Sequence, residues 1–494
     1  MLAEVRCESA AGVGTPPFAE EIDLNMSDPF THANQVSLPR SSVSFREALL
    51  FWLKLGFISF GGPAGQIAIM HSELVERRRW ISDRRFLHAL NYCMVLPGPE
   101  AQQLATYIGW LLHGTRGGIV AGGLFVLPSL FILMALSAIY VAFGNVPSVA
   151  AVLDGIKPAV VAIVVVAVIR VGSRAIRNGV LLGFAVAAFV ALAVFNVPFP
   201  IVVLSAGVLG WIGSRIAPEK FKTGGAHGAK KQSATGAHPP FDFVIDDDHE
   251  PPSHARPNRT TFLVRLVTGL LLWAGPMALL WNWQGWDGTF LRMGILFTTS
   301  ALVTFGGAYA VLPYVARQSV QVFEWLKPAQ MVDGLALGET TPGPLIMVVA
   351  FVGFVGGYQA SGMGWTGAIL GCLIATYFTF LPSFLFIFLG APYIESMRGE
   401  LHLTSALTGI TAAVVGVILN LAVFFGKTVI WPTLSLPHSD PFSLPATATA
   451  IAASTNWFGL VLAIAAFVAL QRFKVSLSYV VLVCAAAGLL RFSL

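Results

Sequence analysis

Apolar runs long enough to cross a bilayer recur along this chain, at 118–143, 149–169, 180–195, 262–283, 365–390 and 403–425, with another near the C-terminus. A helix spans hydrocarbon with about 17–25 such residues. With 55% of residues hydrophobic and 11% charged, there is too little polar surface to cover a water-soluble globule of this length. A closed β-barrel would alternate apolar and polar residues along each strand, whereas these runs are continuously apolar. The expected fold is an all-α polytopic membrane protein.

The runs are also duplicated. Phe60-Gly61-Gly62 recurs as Phe305-Gly306-Gly307, at an offset of 305 − 60 = 245. Trp80 and Trp325 keep that register, as do Pro97-Gly98-Pro99 and Pro342-Gly343-Pro344. Leu127-Pro128-Ser129 and Leu381-Pro382-Ser383, then Gly155 and Gly409, are 254 apart, which implies a nine-residue insertion near 361–365. The chain divides into a tail at 1–42, an N-terminal repeat at 43–214, a hydrophilic linker at 215–261, an extra helix and loop at 262–289, and a C-terminal repeat at 290–494. The tail has no apolar core behind a basic start, so it reads as a disordered cytoplasmic tail rather than a signal peptide. The linker is rich in Gly, Pro, His and charge, the composition of a mobile aqueous segment.

Basic residues set the orientation. Residues 76–85 (ERRRWISDRR) hold five arginines, and Arg170, Arg174 and Arg177 flank another loop, so both are expected in the cytoplasm. The matching loop at 317–327 has two basic residues and a glutamate. The halves are therefore expected to form an inverted-topology repeat. With Ser42 and the arginine loop on one side, 45–76 and 86–114 must each go in and return, as re-entrant or broken helices turning at GGP and PGP. The alternative has each segment span fully and leaves five arginines outside.

Such breaks free backbone groups that lipid tolerates only against protein or a wet cavity. The helix that restarts after each one offers unpaired N–H groups and a positive dipole end, which attract anions. Candidate anion-binding residues are Phe60, Gly61, Gly62, Pro63 and Gln66 at the first break and Pro97, Gly98, Pro99, Gln102 and Gln103 at the second. Gly306, Gly307, Pro342, Gly343 and Pro344 are their counterparts, and Gln66, Gln102 and Gln103 are expected to contribute amide donors. The bland alternative is that these motifs only kink packed helices.

Intramembrane carboxylates point to ion or proton coupling. Glu100 is the first candidate, with an acidic first-turn capping role as its alternative. Glu339 lies six positions before Leu345, the residue equivalent to Glu100. Asp154 and Lys157 stand three apart on one helix face. Lys157 is a candidate fixed charge for a dianion, Asp154 a coupling candidate, and a mutually neutralised loop-edge pair the alternative. No cofactor or metal is expected: the four cysteines are scattered, and His227, His238, His249 and His254 in the linker fit no ligand template. No GxxxxGK[ST] loop is present, so ATP is not a direct energy source.

The segments FGGPAGQIAIMHSELVERRRWI and RFLHALNYCMVLPGPEAQQLATYIGW resemble the N-terminal half of the chromate ion transporter (CHR) family in its long, two-domain form. TFGGAYAVLPYV and GETTPGPLIMVVAFVGF resemble its C-terminal half. The resemblance runs from Ser42 to the end except for the linker. It implies multi-pass residence in the inner membrane and export of chromate from the cytoplasm, conferring chromate resistance, with sulfate as the chemically similar oxyanion. Lipid and a second copy in a homodimer are the expected partners, and nucleic acid is not. An intramembrane enzyme acting on a lipid phosphate, or a passive anion channel, are the competing functions. The former needs an acid/base or nucleophile constellation that the motifs do not supply.

Overall fold

A computed structural model describes residues 43–60, 62–221, 243–245, 252–305, 307–397, 404–432 and 454–493. The tail at 1–42 and the central glycines Gly61 and Gly306 lie outside the described residues. Helix α1 (Phe45–Ile58) starts where the Ser44 hydroxyl accepts from the Glu47 N–H at 3.2 Å. Its 14 residues cover about 21 Å, short of the ~30 Å hydrocarbon core. The chain restarts as α2 (Gly62–His71) and runs into a single π-helical segment, Ser72–Arg77. It is then back beside the start of α1, where Arg78 Nη1 lies 3.4 Å from Glu47 Oε1 and the guanidinium sits 4.9 Å from the Phe51 ring centre.

The second hairpin follows the same logic. Helix α3 (Asp83–Val95) leads into PGP, after which α4 (Glu100–Phe143) begins. Its 44 residues are not one rod, since His113 and Gly114 leave helical geometry. The His113 ring nitrogen lies 2.9 Å from the Val43 carbonyl, which brings the first arm back to the level where α1 started. Only the second arm is long enough to span. The expected hairpins turning at GGP and PGP are the form the chain adopts.

The second half repeats these devices at the backbone level. Helices α5 (Pro147–Ala175), α6 (Gly179–Ala193), α7 (Phe199–Ile216), the single turn α8 (Pro218–Phe221) and α9 (Arg259–Gln284) intervene. Then come α10 (Thr289–Val303), α11 (Ala308–Arg317), a second π segment Gln318–Val322, α12 (Pro328–Thr340), α13 (Val348–Ala360) and α14 (Gly364–Met397). Gly62 and Gly307 take φ of +71° and +97°, and Gly98 and Gly343 take +123° and +102°. Arg79 and Glu324, also 245 apart, both adopt positive φ, at 54° and 53°. These two share no side-chain chemistry, so the duplication lives in the backbone. The expected nine-residue insertion falls where α13 turns into α14, a three-residue turn at 361–363, so the added residues also lengthen the flanking helix ends.

Helices α15 (Thr404–Ile430), α16 (Trp457–Gln471) and α17 (Leu477–Ser493) complete the chain, and here the halves interlock. α5 of the first half packs on α16 and α17 of the second, while α15 packs on α6 and α7 of the first. Glycine makes both approaches close enough, as small residues do between membrane helices. A Cβ built at Gly155 would lie 2.8 Å from Gly488 Cα, and one at Gly409 would lie 2.6 Å from the Ala206 carbonyl oxygen. α9 rests against α10 and α14 and exposes Leu271 and Leu279 on its outer face.

The described parts of the expected aqueous linker are docked. Ile245 exchanges backbone hydrogen bonds with Trp80 and Ser82, both at 3.0 Å, in a parallel bridge to Ile81. His254 lies 2.9 Å from the Trp110 carbonyl, and burial lowers its pKa. His227, His238 and His249 lie outside the described residues, and the described ones hold no metal-ligand cluster.

Gly155→Leu and Gly409→Leu should each destabilise the protein by about 1–3 kcal/mol through overpacking. Gly123→Ala, where a Cβ meets nothing within 4 Å, should be neutral or stabilising. Melting of purified protein in detergent, followed by tryptophan fluorescence, checks the contrast.

Candidate functional site

The PGP turn of each half is hydrogen-bonded to the other half's FGG turn. Proline has no N–H, so the glycine supplies the one backbone donor within each PGP motif. The Gly98 N–H donates to the Thr304 carbonyl and the Gly343 N–H to the Ser59 carbonyl, both at 2.8 Å. Ser59 and Thr304 are equivalent, each immediately preceding its FGG phenylalanine. Their hydroxyls bond back to the Leu55 and Ser300 carbonyls. The four breaks therefore meet as two crossed pairs.

Four helical segments restart at these pairs. They are α2, with Gly62 and Pro63 in its first turn, α4 after Pro99, α11 after Gly307, and the 3₁₀ turn Leu345–Met347 leading into α13. Pro99, Gly307 and Pro344 stand at the N-cap positions of the last three, and none makes a side-chain capping bond. The first N–H groups of these segments thus keep their capacity for a ligand. Pro97 and Pro342 open their turns, and Phe60 is 44% exposed, at the margin of this centre.

Gln66, Gln102 and Gln103 are buried here, but their amides face the opposite way from the expected donor role. Gln66 Nε2 donates to the carbonyls of Gly343 at 2.5 Å and Ser59 at 3.3 Å. Gln103 Nε2 donates to the Pro97 carbonyl at 2.8 Å and Gln102 Nε2 to Thr106 Oγ1 at 3.0 Å. A break leaves carbonyls without partners, and a neighbouring glutamine is the nearest donor in a dry interior. Gln66 and Gln103 therefore brace the turns while Gln102 is tied within α4, and the three amide oxygens have no partner among the described residues.

Lys157 is not a free cation. Its Nζ lies 2.6 Å from Asp154 Oδ1 and 3.7 Å from Asp333 Oδ1, and Asp333 Oδ2 accepts from the Tyr140 hydroxyl at 3.0 Å. The cluster ties α5 and the end of α4 to α12 of the other half. Asp333 precedes Thr341 by eight residues, about 12 Å along a helix, so Lys157 and Asp154 stand apart from the turns. Glu339 Oε1 accepts from the Tyr309 hydroxyl at 2.6 Å, with Arg170 in electrostatic reach. Glu100 sits in the first turn of α4 with no hydrogen bond or ion pair to any described residue. Its first-turn position is the one that the acidic capping alternative requires, since that role acts through the helix dipole and needs no hydrogen bond.

Several site-level residues had no signal in the sequence. Arg85 Nη2 lies 3.0 Å from Glu395 Oε2, and the Tyr107 hydroxyl donates to Glu395 Oε1 at 2.5 Å, all three buried. This contact ties α3 to the end of α14, the counterpart of the Asp333–Tyr140 contact between α12 and the end of α4. The members are about 300 residues apart and occupy non-equivalent positions of the two halves, so no offset pairs them.

Comparison with known proteins agrees with the duplicated architecture. A family model described as Chromate transporter matches residues 46–211 and 291–489. The chromate transport protein of Pseudomonas aeruginosa is 31% identical over 379 residues, 76% of this chain and 80% of its own. That of Cupriavidus metallidurans is 28% identical over 385 residues, 78% of this chain and 83% of its own. A probable chromate transport protein of Synechococcus elongatus is 27% identical over 78% of this chain and 85% of its own. These relatives are named as transport proteins, not as enzymes. No solved structure matches the chain.

The glycines of the turns should not be equally sensitive. A Cβ at Gly343 would lie 2.6 Å from Ser129 Cβ, and one at Gly98 would lie 2.5 Å from Ser383 Oγ, whereas one at Gly307 meets nothing within 4 Å. Gly307→Ala should cost only the strain of its positive-φ, glycine-only backbone, about 1–3 kcal/mol. Gly98→Ala and Gly343→Ala add overpacking, for a total of about 2–6 kcal/mol. Unfolding midpoints in a denaturing-detergent titration test the ranking.

Proposed function

The chain belongs to the chromate transporter family, and on that premise we propose that it is a secondary transporter exporting chromate, and sulfate as a chemically similar dianion, across the inner membrane. Chromate resistance is the physiological consequence. The observation that carries this reading is the reciprocal docking of the breaks, because each crossed pair joins uncapped helix starts of one half to those of the other. Segment starts of this kind suit a tetrahedral oxyanion, whose four oxygens accept several N–H bonds at once.

The two halves are inverted in the membrane, in keeping with the five arginines at 76–85 against the poorer loop at 317–327. Rocking one half against the other exchanges the crossed hydrogen bonds and exposes the centre alternately to each side. A centre built jointly by both halves changes its geometry in that motion, as a carrier requires. A passive channel has no need of this.

Charge balance brings Glu100 into the cycle. The turns themselves carry no cation, and Lys157 is held by two aspartates. A dianion beside an ionised Glu100 is repelled, so protonated Glu100 favours loading and a proton accompanies the anion. Affinity should therefore fall as pH rises through the Glu100 titration.

Vesicles reconstituted with the protein and loaded with sulfate should take up chromate in exchange, faster on the acidic side of the profile. Glu100→Gln, a permanent mimic of the protonated acid, should hold its KM nearly constant with pH. A wild-type protein that moves neither anion while cleaving a lipid phosphate overturns the transporter reading. An unchanged pH profile in Glu100→Gln removes the carboxylate from the cycle.

A further inference from the structure

We propose that Ser129 and Ser383 are oxyanion-binding residues, each presented by one half of the protein to the PGP turn of the other. The inference rests on the transport reading above and adds to its site two side chains that the duplicated motifs marked only as landmarks. The two serines occupy equivalent positions, each one residue after a proline inside a spanning helix, in Leu127-Pro128-Ser129 and Leu381-Pro382-Ser383. Both are fully buried, at 0% and 1% exposure.

Among the described residues their hydroxyls have no hydrogen-bond partner. That is unusual within this protein. Ser300, Ser319, Thr376 and Thr379 all return their hydroxyl to the carbonyl four residues earlier, at 2.7–2.9 Å. Ser129 and Ser383 do not, and instead face the glycine of the opposite turn. Ser383 Oγ lies 2.5 Å from the point a Gly98 Cβ would occupy, and Ser129 Oγ lies 3.0 Å from the same point at Gly343. Glycine, by lacking a side chain, is what lets each serine approach the opposite turn this closely.

A buried hydroxyl without an acceptor costs its desolvation, and here that cost arises at both members of a pseudo-symmetric pair. A ligand acceptor beside the uncapped helix starts supplies the missing partner. The Gln66 and Gln103 amide nitrogens are engaged by backbone carbonyls and that of Gln102 by the Thr106 hydroxyl, whereas among the described residues these serine hydroxyls are side-chain donors left unengaged at the turns. A tetrahedral oxyanion meets that donor set. Because Ser129 and Gly343 belong to different halves, as do Ser383 and Gly98, the ligand is gripped by both, and rocking the halves releases it.

Purified full-length protein and Ser129→Ala, Ser383→Ala, Ser129→Cys, Ser383→Cys and double-alanine variants are compared with Ser137→Ala. Ser137 is an equally buried, unpartnered serine located outside the duplicated motifs. Each single alanine variant should raise the KM for chromate or sulfate about tenfold, the scale of a hydrogen bond to a charged group, with maximal rate largely retained. The cysteine variants keep the volume with a weaker donor and should fall between. In the double-alanine variant the melting-temperature rise that wild type shows with either anion should vanish, while the anion-free melting temperature is unchanged or higher. Ser137→Ala should leave KM and the anion-induced shift intact. Unchanged KM and an unchanged anion-induced shift in the double variant overturn the assignment, as does a Ser137→Ala effect of equal size. Wild-type protein that neither transports nor is stabilised by either anion overturns the transport reading itself, which separates the two failures.

Discussion

A helix interrupted at bilayer depth strands backbone donors and acceptors where no water can reach them, and this fold depends on how those groups are satisfied. The PGP motif reduces the difficulty to one N–H, because its two prolines have none. The residue before each FGG offers one carbonyl in return. Neither half closes this account internally: the Gly98 donor needs Thr304 and the Gly343 donor needs Ser59. Each break is chemically complete only when the other half is present, which makes the breaks a joint on which assembly of the two halves turns.

The outer helices repeat that dependence by packing. α5 closes on the terminal helices of the second half and α15 on those of the first, through glycine contacts that leave no room for a side chain. Two buried electrostatic contacts, Arg85–Glu395 and Asp333 with Tyr140 and Lys157, occupy corresponding interfaces on either side of the pseudo-symmetry. Breaking one member of such a buried pair costs about 3–5 kcal/mol. A motion that preserves the packed helices while exchanging a few short-range bonds at the turns is therefore far easier than one that separates the halves.

Much of this was legible in the residues. Continuous apolar runs gave the helical membrane class, the 245-residue offset gave the halves, and arginine placement favoured hairpins over spans, as Arg78 beside Glu47 and His113 beside Val43 now show. What stayed hidden depended on pairing between the halves. Gln66 could be placed near a break but not turned, because the carbonyl it braces belongs to Gly343, 277 positions away. Lys157 looked like a fixed charge since Asp333 lies in the other repeat, outside any local spacing rule. Periodicity reports which face a residue occupies, and only the folded chain reports what stands opposite.

The backbone is two-fold in plan while the side chains are not. Gln66 and Gln103 brace both PGP turns, and both come from the first half; their counterparts in the second are Val311 and Val348. Glu100 faces Leu345 in the alignment of the halves, and Asp154 and Lys157 face Thr408 and Thr411. The second half thus contributes backbone, apolar packing and the Ser383 hydroxyl at these turns, while the bracing glutamines come from the first. If both halves carried the full polar set, the proposed site would hold two carboxylates, each opposing a dianion by charge. With Leu345 at the equivalent position, the second half keeps the helix starts of the proposed anion site, and Glu100 stands at its own helix start with no hydrogen-bond or ion-pair partner among the described residues.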